Sequence, residues 1–138
     1  MVILVTFLVI LVAFSALLLT TSRILVGETR PFVRNVFTLK SCAHIAGSHV
    51  MSFETEAEML LAWRDFMLQV DADVITGYNI VNFDVPYLLN RAEHLKLPDF
   101  SVFGRARGVK ASMKDTLFSS KAYGTRESKT IGTERKGK

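Results

Sequence analysis

Hydrophobic and polar positions follow three regimes along the chain. Met1 to Ser22, MVILVTFLVILVAFSALLLTTS, carries no charged residue. Unbroken apolarity over that length predicts an N-terminal helix of roughly 33 Å, enough to cross a bilayer core of about 30 Å. From Phe32 the pattern becomes that of a folded domain. FVRNVFTL at 32–39 is rich in β-branched and aromatic residues and reads as a strand. After a turn around Gly47 and Ser48, VMSF at 50–53 alternates as a short second strand. Met59, Leu60, Trp63, Phe66, Met67 and Val70 then fall on one face of a helix, with Arg64, Asp65 and Gln69 largely on the other. Thr55 and Glu58 have the spacing of a capping box at its start.

Asp71-Ala72-Asp73 ends that helix, and VITGY at 74–78 predicts a strand apolar on both faces, hence one internal to a covered sheet. A second helix follows, with Pro86 in its first turn, a stripe of Leu88, Leu89, Ala92 and Leu95, and Leu97-Pro98 at its end. Strand, strand, helix, strand, helix is the order of an α/β domain. Past Phe100, glycines break up any long element, although Lys114 to Ile131 fits a hairpin turning at Tyr123-Gly124-Thr125. The last residues, GTERKGK, read as unstructured. The chain therefore divides into an apolar segment at 1–22, an α/β domain at 23–131 and a basic tail at 132–138.

Its 138 residues leave room for one domain. The first basic residues, Arg23, Arg30 and Arg34, follow the apolar run, whereas a secretory signal places them before it. A membrane anchor would leave the remainder in the cytoplasm; a cleaved signal and a buried core helix are the alternatives. Charge is uneven as well. Residues 1–100 hold seven Lys/Arg against ten Asp/Glu, and residues 101–138 hold ten against three. A basic C-terminal third suits a polyanion such as nucleic acid, or is a solvated tail. Cys42 is the only cysteine, which excludes an internal disulfide and a cysteine-rich zinc site.

Candidate chemistry concentrates in GYNIVNFDVPYLLNRA, residues 77–92, where a strand hands over to a helix around Asp84. An aspartate there is a good helix cap, its carboxylate accepting first-turn N–H groups. It also lies beyond the carboxyl end of a strand, where open α/β sheets bind ligands. Asn79 and Asn82 can satisfy loop backbone or hold a polar ligand, and Phe83 can pin the loop into the core. A carboxylate so placed can hold Mg²⁺, which takes oxygen ligands.

Asn79-Ile80-Val81-Asn82-Phe83-Asp84 resembles the second exonuclease motif of family B DNA polymerases, N-x(2–3)-(F/Y)-D. The surrounding RPFVRNVFTLKSC, GSHVMSFETEAEMLLAWRDFM and DADVITGYNIVNFDVPYLLNRAEHL extend the likeness over about residues 29–131. The resemblance implies a partial ribonuclease-H-like exonuclease fold, a mixed sheet flanked by helices, preceded here by the apolar helix. It implies removal of a mispaired nucleotide from a DNA primer 3′ end, with two divalent metals about 3.5–4 Å apart. Asp84 matches a metal-ligand aspartate, and Asn79 matches the amide that opens the motif and positions the strand end. Phe83 joins Asn79 among the DNA contacts. Lys110 to Ile131, with Lys110 and Lys114, corresponds to the hairpin that helps pass the primer end between sites. Other polymerase subunits and a nuclear location are implied too.

The same pattern requires an Asp-x-Glu pair from an upstream strand and an aspartate in a downstream Tyr-x-x-x-Asp motif. No Asp-x-Glu occurs in the chain, and Tyr78, Tyr87 and Tyr123 are followed four places on by Asn82, Arg91 and Glu127. One carboxylate does not hold two Mg²⁺ ions against water. The expectation is therefore a proofreading domain inactive in isolation, both its ends departing abruptly from the family pattern as joined unrelated sequence would. His44 and His49 are read as incidental loop histidines. The alternative reading is a membrane-anchored, non-catalytic protein with a basic domain that binds nucleic acid or a protein.

Overall fold

The computed structural model describes residues 2–11, 16–25, 27, 29, 33–120 and 124–135, with side-chain surroundings at 20–22, 27, 29, 33–113 and 132. Its elements in chain order are β1 (Val2–Leu11), β2 (Ala16–Leu25), β3 (Val33–Leu39), β4 (His49–Phe53), α1 (Glu56–Val70), β5 (Val74–Thr76), α2 (Asp84–His94), β6 (Val109–Ser120) and β7 (Gly124–Arg135).

The first finding corrects the N-terminal helix. Residues 2–11 and 16–25 are two antiparallel strands, paired from Val2 with Leu25 to Leu11 with Ala16. The physical reason is in the composition: valine, isoleucine, threonine and phenylalanine dominate VILVTFLVIL, and such residues suit a pleated strand better than a helix. A sheet covered on both faces also asks for continuous apolarity in its middle strands, so hydropathy alone did not distinguish the two. Among the described residues no helix is long and apolar enough to cross a membrane.

The five-stranded sheet has the order β4-β3-β2-β1-β5. β1 runs parallel to β5, with Ile3 opposite Val74 and Val5 opposite Thr76. β2 is antiparallel to β3, and β3 is parallel to β4. The sheet is thus mixed. β5 ends at Thr76, and among the described strands it forms the edge, with Val74 41% exposed. The expected internal strand over 74–78 is corrected accordingly. Its apolarity on both faces serves one covered face and one that stands open.

Helix α1 starts as its sequence requires. The Thr55 hydroxyl accepts from the Glu58 N–H (3.3 Å) and the Glu58 carboxylate accepts from the Thr55 N–H (3.1 Å). Met59, Leu60, Trp63, Met67 and Val70 are buried on one face, with Phe66 partly buried beside them. Each such side chain contributes roughly 1.5–3 kcal/mol. They share a cluster with Phe37 of β3, with Val85, Leu88 and Ala92 of α2, and with Phe100 and Phe103. Trp63 stacks on Phe100 at 5.8 Å between centroids and tilts against Phe103 at 5.6 Å. The glycine-broken stretch after α2 therefore closes the core with two aromatics.

Two polar contacts fix how the layers sit. Thr21 of β2 is fully buried, and its hydroxyl accepts a hydrogen bond from Trp63 Nε1 at 3.3 Å. Helix α2 is tied to α1 by Arg91, whose Nε donates to both Glu56 oxygens (2.7 and 2.8 Å) and whose Nη2 donates to one of them (2.6 Å). That hydrogen bonding raises the Arg91 pKa above its ordinary value, with burial acting in the opposite direction. A forked pair of this kind sets the angle between two helices more firmly than a single bond does.

Residues 109–120 and 124–135 form one long antiparallel hairpin, from Val109 opposite Arg135 to Ser120 opposite Gly124. The hairpin expected over 114–131 is present and longer at both ends. Gly132 to Arg135 belong to β7, which corrects the expectation of an unstructured tail from 132. The ladder recruits residues whose composition alone favours disorder. Residues 136–138 and Tyr123 of the expected turn lie outside the described residues.

The Thr21–Trp63 contact gives a test of the N-terminal strands. In urea unfolding of the full chain, Thr21→Val and Trp63→Phe should each destabilise, and the double variant should lose less than the sum. A coupling of about 1 kcal/mol is expected for one buried hydrogen bond. Strict additivity would place residues 16–25 elsewhere than against α1.

Candidate functional site

The loop from β5 to α2 is built around Asn79. Its backbone lies in the left-handed region (φ 56°), which asparagine tolerates better than most residues. The Asn79 carbonyl accepts from the N–H groups of Asn82 (3.1 Å) and Phe83 (3.0 Å). Its side-chain oxygen accepts from Asn82 Nδ2 at 2.9 Å. Asn79 thus folds the five residues from 79 to 83 onto themselves, and Asn82 braces the fold.

Ile80, not Phe83, anchors this loop to the core. Phe83 is 48% exposed and stacks on Tyr87, with centroids 6.5 Å apart and rings inclined by 17°. The expectation that Phe83 pins the loop inward is therefore corrected. The reason is register: Phe83 lies one helical turn before Tyr87 and stacks on its ring, while Tyr87 itself packs partly buried against the core.

Asp84 is 4% exposed and is the first residue of α2. The N-cap position itself is Phe83, which makes no side-chain cap bond. A capping side chain normally accepts from the second or third N–H of the helix. Here the second, from Val85, already donates to the Ile80 carbonyl at 2.9 Å. The third residue is Pro86, which has no N–H. Two usual targets of a cap at Phe83 are thus filled or absent. The positive end of the helix dipole remains favourable to the Asp84 carboxylate.

A second anchor holds the base of this loop. Asp71, the left-handed C-cap of α1 (φ 47°), and Asp73, just before β5, both pair with Arg105. The Asp71 contact is 3.4 Å. Arg105 thereby binds the α1–β5 turn to the segment behind Phe103. Sequence reading missed it because the partners are more than thirty residues apart. It missed Tyr78 as well, which stands 85% exposed at the start of the loop. The only available signal for Tyr78 is an aromatic residue directly beside a loop asparagine.

The structure brings Asn79, Phe83 and Asp84 together at the junction of β5 and α2. Lys110 lies at the root of β6 against the C-terminal half of α2, where it lines a cleft with Glu93 and Lys96. Lys114 pairs with Thr130 in the hairpin ladder, and its side chain lies outside the described residues. Among the described residues no group of three or more His, Cys, Asp or Glu could hold a metal ion. The residues present therefore do not fit a two-metal centre. His44 and His49 are both exposed and belong to no such group.

The loop geometry predicts an ordered series at Asn79. Asn79→Ala loses the Asn82 brace and forces a Cβ residue without side-chain polarity into a left-handed backbone, at a cost of roughly 1–2 kcal/mol. Asn79→Gly should cost less, because glycine accepts that backbone freely. Denaturant midpoints of the two variants, with amide exchange at Asn82 and Phe83, check the order.

Comparison with known proteins agrees with the loop and core geometry. Residues 19–132 match the family described as DNA polymerase family B, exonuclease domain. The chain is 58% identical over 110 residues to the DNA polymerase delta catalytic subunit of Glycine max, an alignment covering 80% of this chain and 10% of that relative. It is 51% identical over 105 residues to the corresponding subunit of Dictyostelium discoideum, covering 76% and 10%. For Drosophila melanogaster the identity is 48% over 108 residues, covering 78% and 10%. The chain thus spans about a tenth of the length of the curated relatives it matches. Strand β1 lies before the matched residues, yet it fills the place in the sheet beside β5. With 114 consecutive residues inside the family's bounds, and with the Asn79–Asp84 motif on the strand-to-helix loop, the chain belongs to the exonuclease-domain family of family B DNA polymerases.

Proposed function

We propose that this chain is part of the 3′–5′ proofreading domain of a delta-type replicative DNA polymerase, on a ribonuclease-H-like sheet, and that alone it binds a DNA 3′ end without cleaving it. The observation that carries this reading is the buried Asp84 at the mouth of the sheet, with the exposed ring of Phe83 beside it. The mixed sheet, with β1 parallel to β5 and antiparallel to β2, supports the fold assignment. A nuclear location, a role in DNA replication and contacts with other polymerase subunits follow from the same relatives.

The residues of this chain divide the work by their chemistry. Tyr78, Phe83 and Tyr87 offer ring faces to unpaired bases, where each stacked base contributes roughly 1–3 kcal/mol. Asn79 holds the loop that presents them and leaves amide groups for the strand end. Lys110, Lys114 and the other basic residues past 100 attract phosphate through charge, a contribution that salt weakens. Asp84 supplies one carboxylate of a metal-binding set. Hydrolysis needs further carboxylates, and among the described residues no group of three or more His, Cys, Asp or Glu could hold a metal ion. The membrane-anchored alternative is not carried forward, because the helix on which it rested is a pair of strands.

A labelled single-stranded oligonucleotide, incubated with the full chain and Mg²⁺, tests both halves. It should stay intact at its 3′ end and should bind with an affinity that falls as salt rises. Phe83→Ala should weaken that binding roughly tenfold. Shortening from the 3′ end that Asp84→Asn abolishes would overturn the inactive reading. Binding indifferent to Phe83→Ala and Tyr78→Ala would remove the stacking surface.

A further inference from the structure

A second concavity lies at the far end of α2 from Asp84. It opens between the C-terminal half of that helix and the start of β6, with a volume of about 590 Å³. Leu89, Leu97, Phe100 and Met113 contribute its apolar walls, and Lys96 and Lys110 bring two positive charges. That size, with apolar walls and a few polar groups, is what small-molecule sites share.

Three features of the lining point to an occupant. Neither lysine has an ion-pair partner among residues 33–113, and Glu93 is the only acid in the lining. Lys96 also stands in the left-handed region (φ 56°), at the turn that ends α2. Its N–H donates to the Glu93 carbonyl and the Leu97 N–H donates to the Ala92 carbonyl, each at 2.9 Å. This is the Schellman arrangement, whose left-handed position favours glycine. A lysine there is strained relative to glycine, and what the position gains is a charge at the cleft. Finally, Ser112 lines the cleft with its Oγ buried and without a hydrogen-bond partner. The residue opposite it on β7 is Gly132, which has no side chain to offer. A buried hydroxyl left unsatisfied is costly unless something else completes it.

We propose that this cleft binds a small amphipathic anion: an apolar body against Leu89, Leu97 and Phe100, and a carboxylate or phosphate held by Lys96 and Lys110. The Ser112 hydroxyl hydrogen-bonds the polar end. The site is separate from Asp84 and independent of whether the chain acts on DNA.

The experiment uses the full chain and 1-anilinonaphthalene-8-sulfonate, an aromatic body with a single sulfonate, followed by fluorescence. The probe should saturate one site and be displaced by decanoate, by thymidine 5′-monophosphate, or by both. Displacement by decanoate alone assigns a carboxylate ligand, and displacement by the nucleotide alone a phosphate one. Lys96→Glu should weaken probe binding roughly tenfold, Lys96→Arg should restore most of it, and Lys40→Glu, away from the cleft, should leave it unchanged. Ser112→Ala separates a ligand contact from a structural one, because it should lower affinity several-fold while raising the thermal midpoint of the free chain. Binding at several sites, displacement by neither ligand, equal affinity in Lys96→Glu, or a lower midpoint with unchanged affinity in Ser112→Ala would each overturn the assignment.

Discussion

The pairing of Ile3–Val5 with Val74–Thr76 joins β5 to the five-stranded sheet. β5 is three residues long and, among the described strands, pairs with β1 alone. The loop bearing Asn79 and Asp84 hangs from the end of β5, so its position relative to the sheet is set by that short parallel contact. Three residue pairs are a weak link by themselves. The link is reinforced from the other side, where Arg105 grips Asp71 and Asp73 and where Ile75 and Ile80 pack on the aromatic core. The site is held by its surroundings more than by its own strand.

Much of that arrangement was legible in the sequence, because local chemistry decided it. The capping box at Thr55 and Glu58, the apolar face of α1 and the break at Leu97-Pro98 all act within a few residues of where they stand. The misreadings share a different cause. The apolar run could satisfy its hydrophobicity in a bilayer, in a core helix or in the middle of a sheet, and only its pairing partners, Val74–Thr76 among them, settle which. Val74 reads as buried on both sides because nothing local says which face of β5 is covered. Gly132 to Arg135 read as a tail because their order comes from a ladder with Val109–Ser112.

The candidate site shows the same division. The motif placed Asn79, Phe83 and Asp84 correctly on one loop, since six consecutive residues cannot drift far apart. It misjudged Phe83, because the choice between core and surface is made by the rotation of α2 about its axis. That rotation is fixed by Val85, Leu88 and Ala92 together with the Glu56–Arg91 fork. It could not indicate that Lys110 lines a cleft with Glu93 and Lys96. Nor could it show Arg105, whose value lies wholly in two distant aspartates.

Helix α2 orders charge in a way that bears on function. Its N-terminus carries the buried carboxylate of Asp84, and its last turn and the residues after it carry Arg91, His94 and Lys96. Both arrangements agree with the helix dipole, so each end is stable without the other. The two ends therefore do not need a common ligand, and a loss at one need not be felt at the other. On the reading proposed above, ligand count limits the Asp84 end. A single carboxylate, however well buried and positioned, cannot give two divalent cations enough oxygen ligands to displace their water. The scaffold that presents the carboxylate is intact in this chain, with strand, loop, stacked rings and helix in register. The β1 backbone lies beside β5, yet its ten residues contain no acid. Carboxylates introduced on that strand would have a sheet ready to hold them.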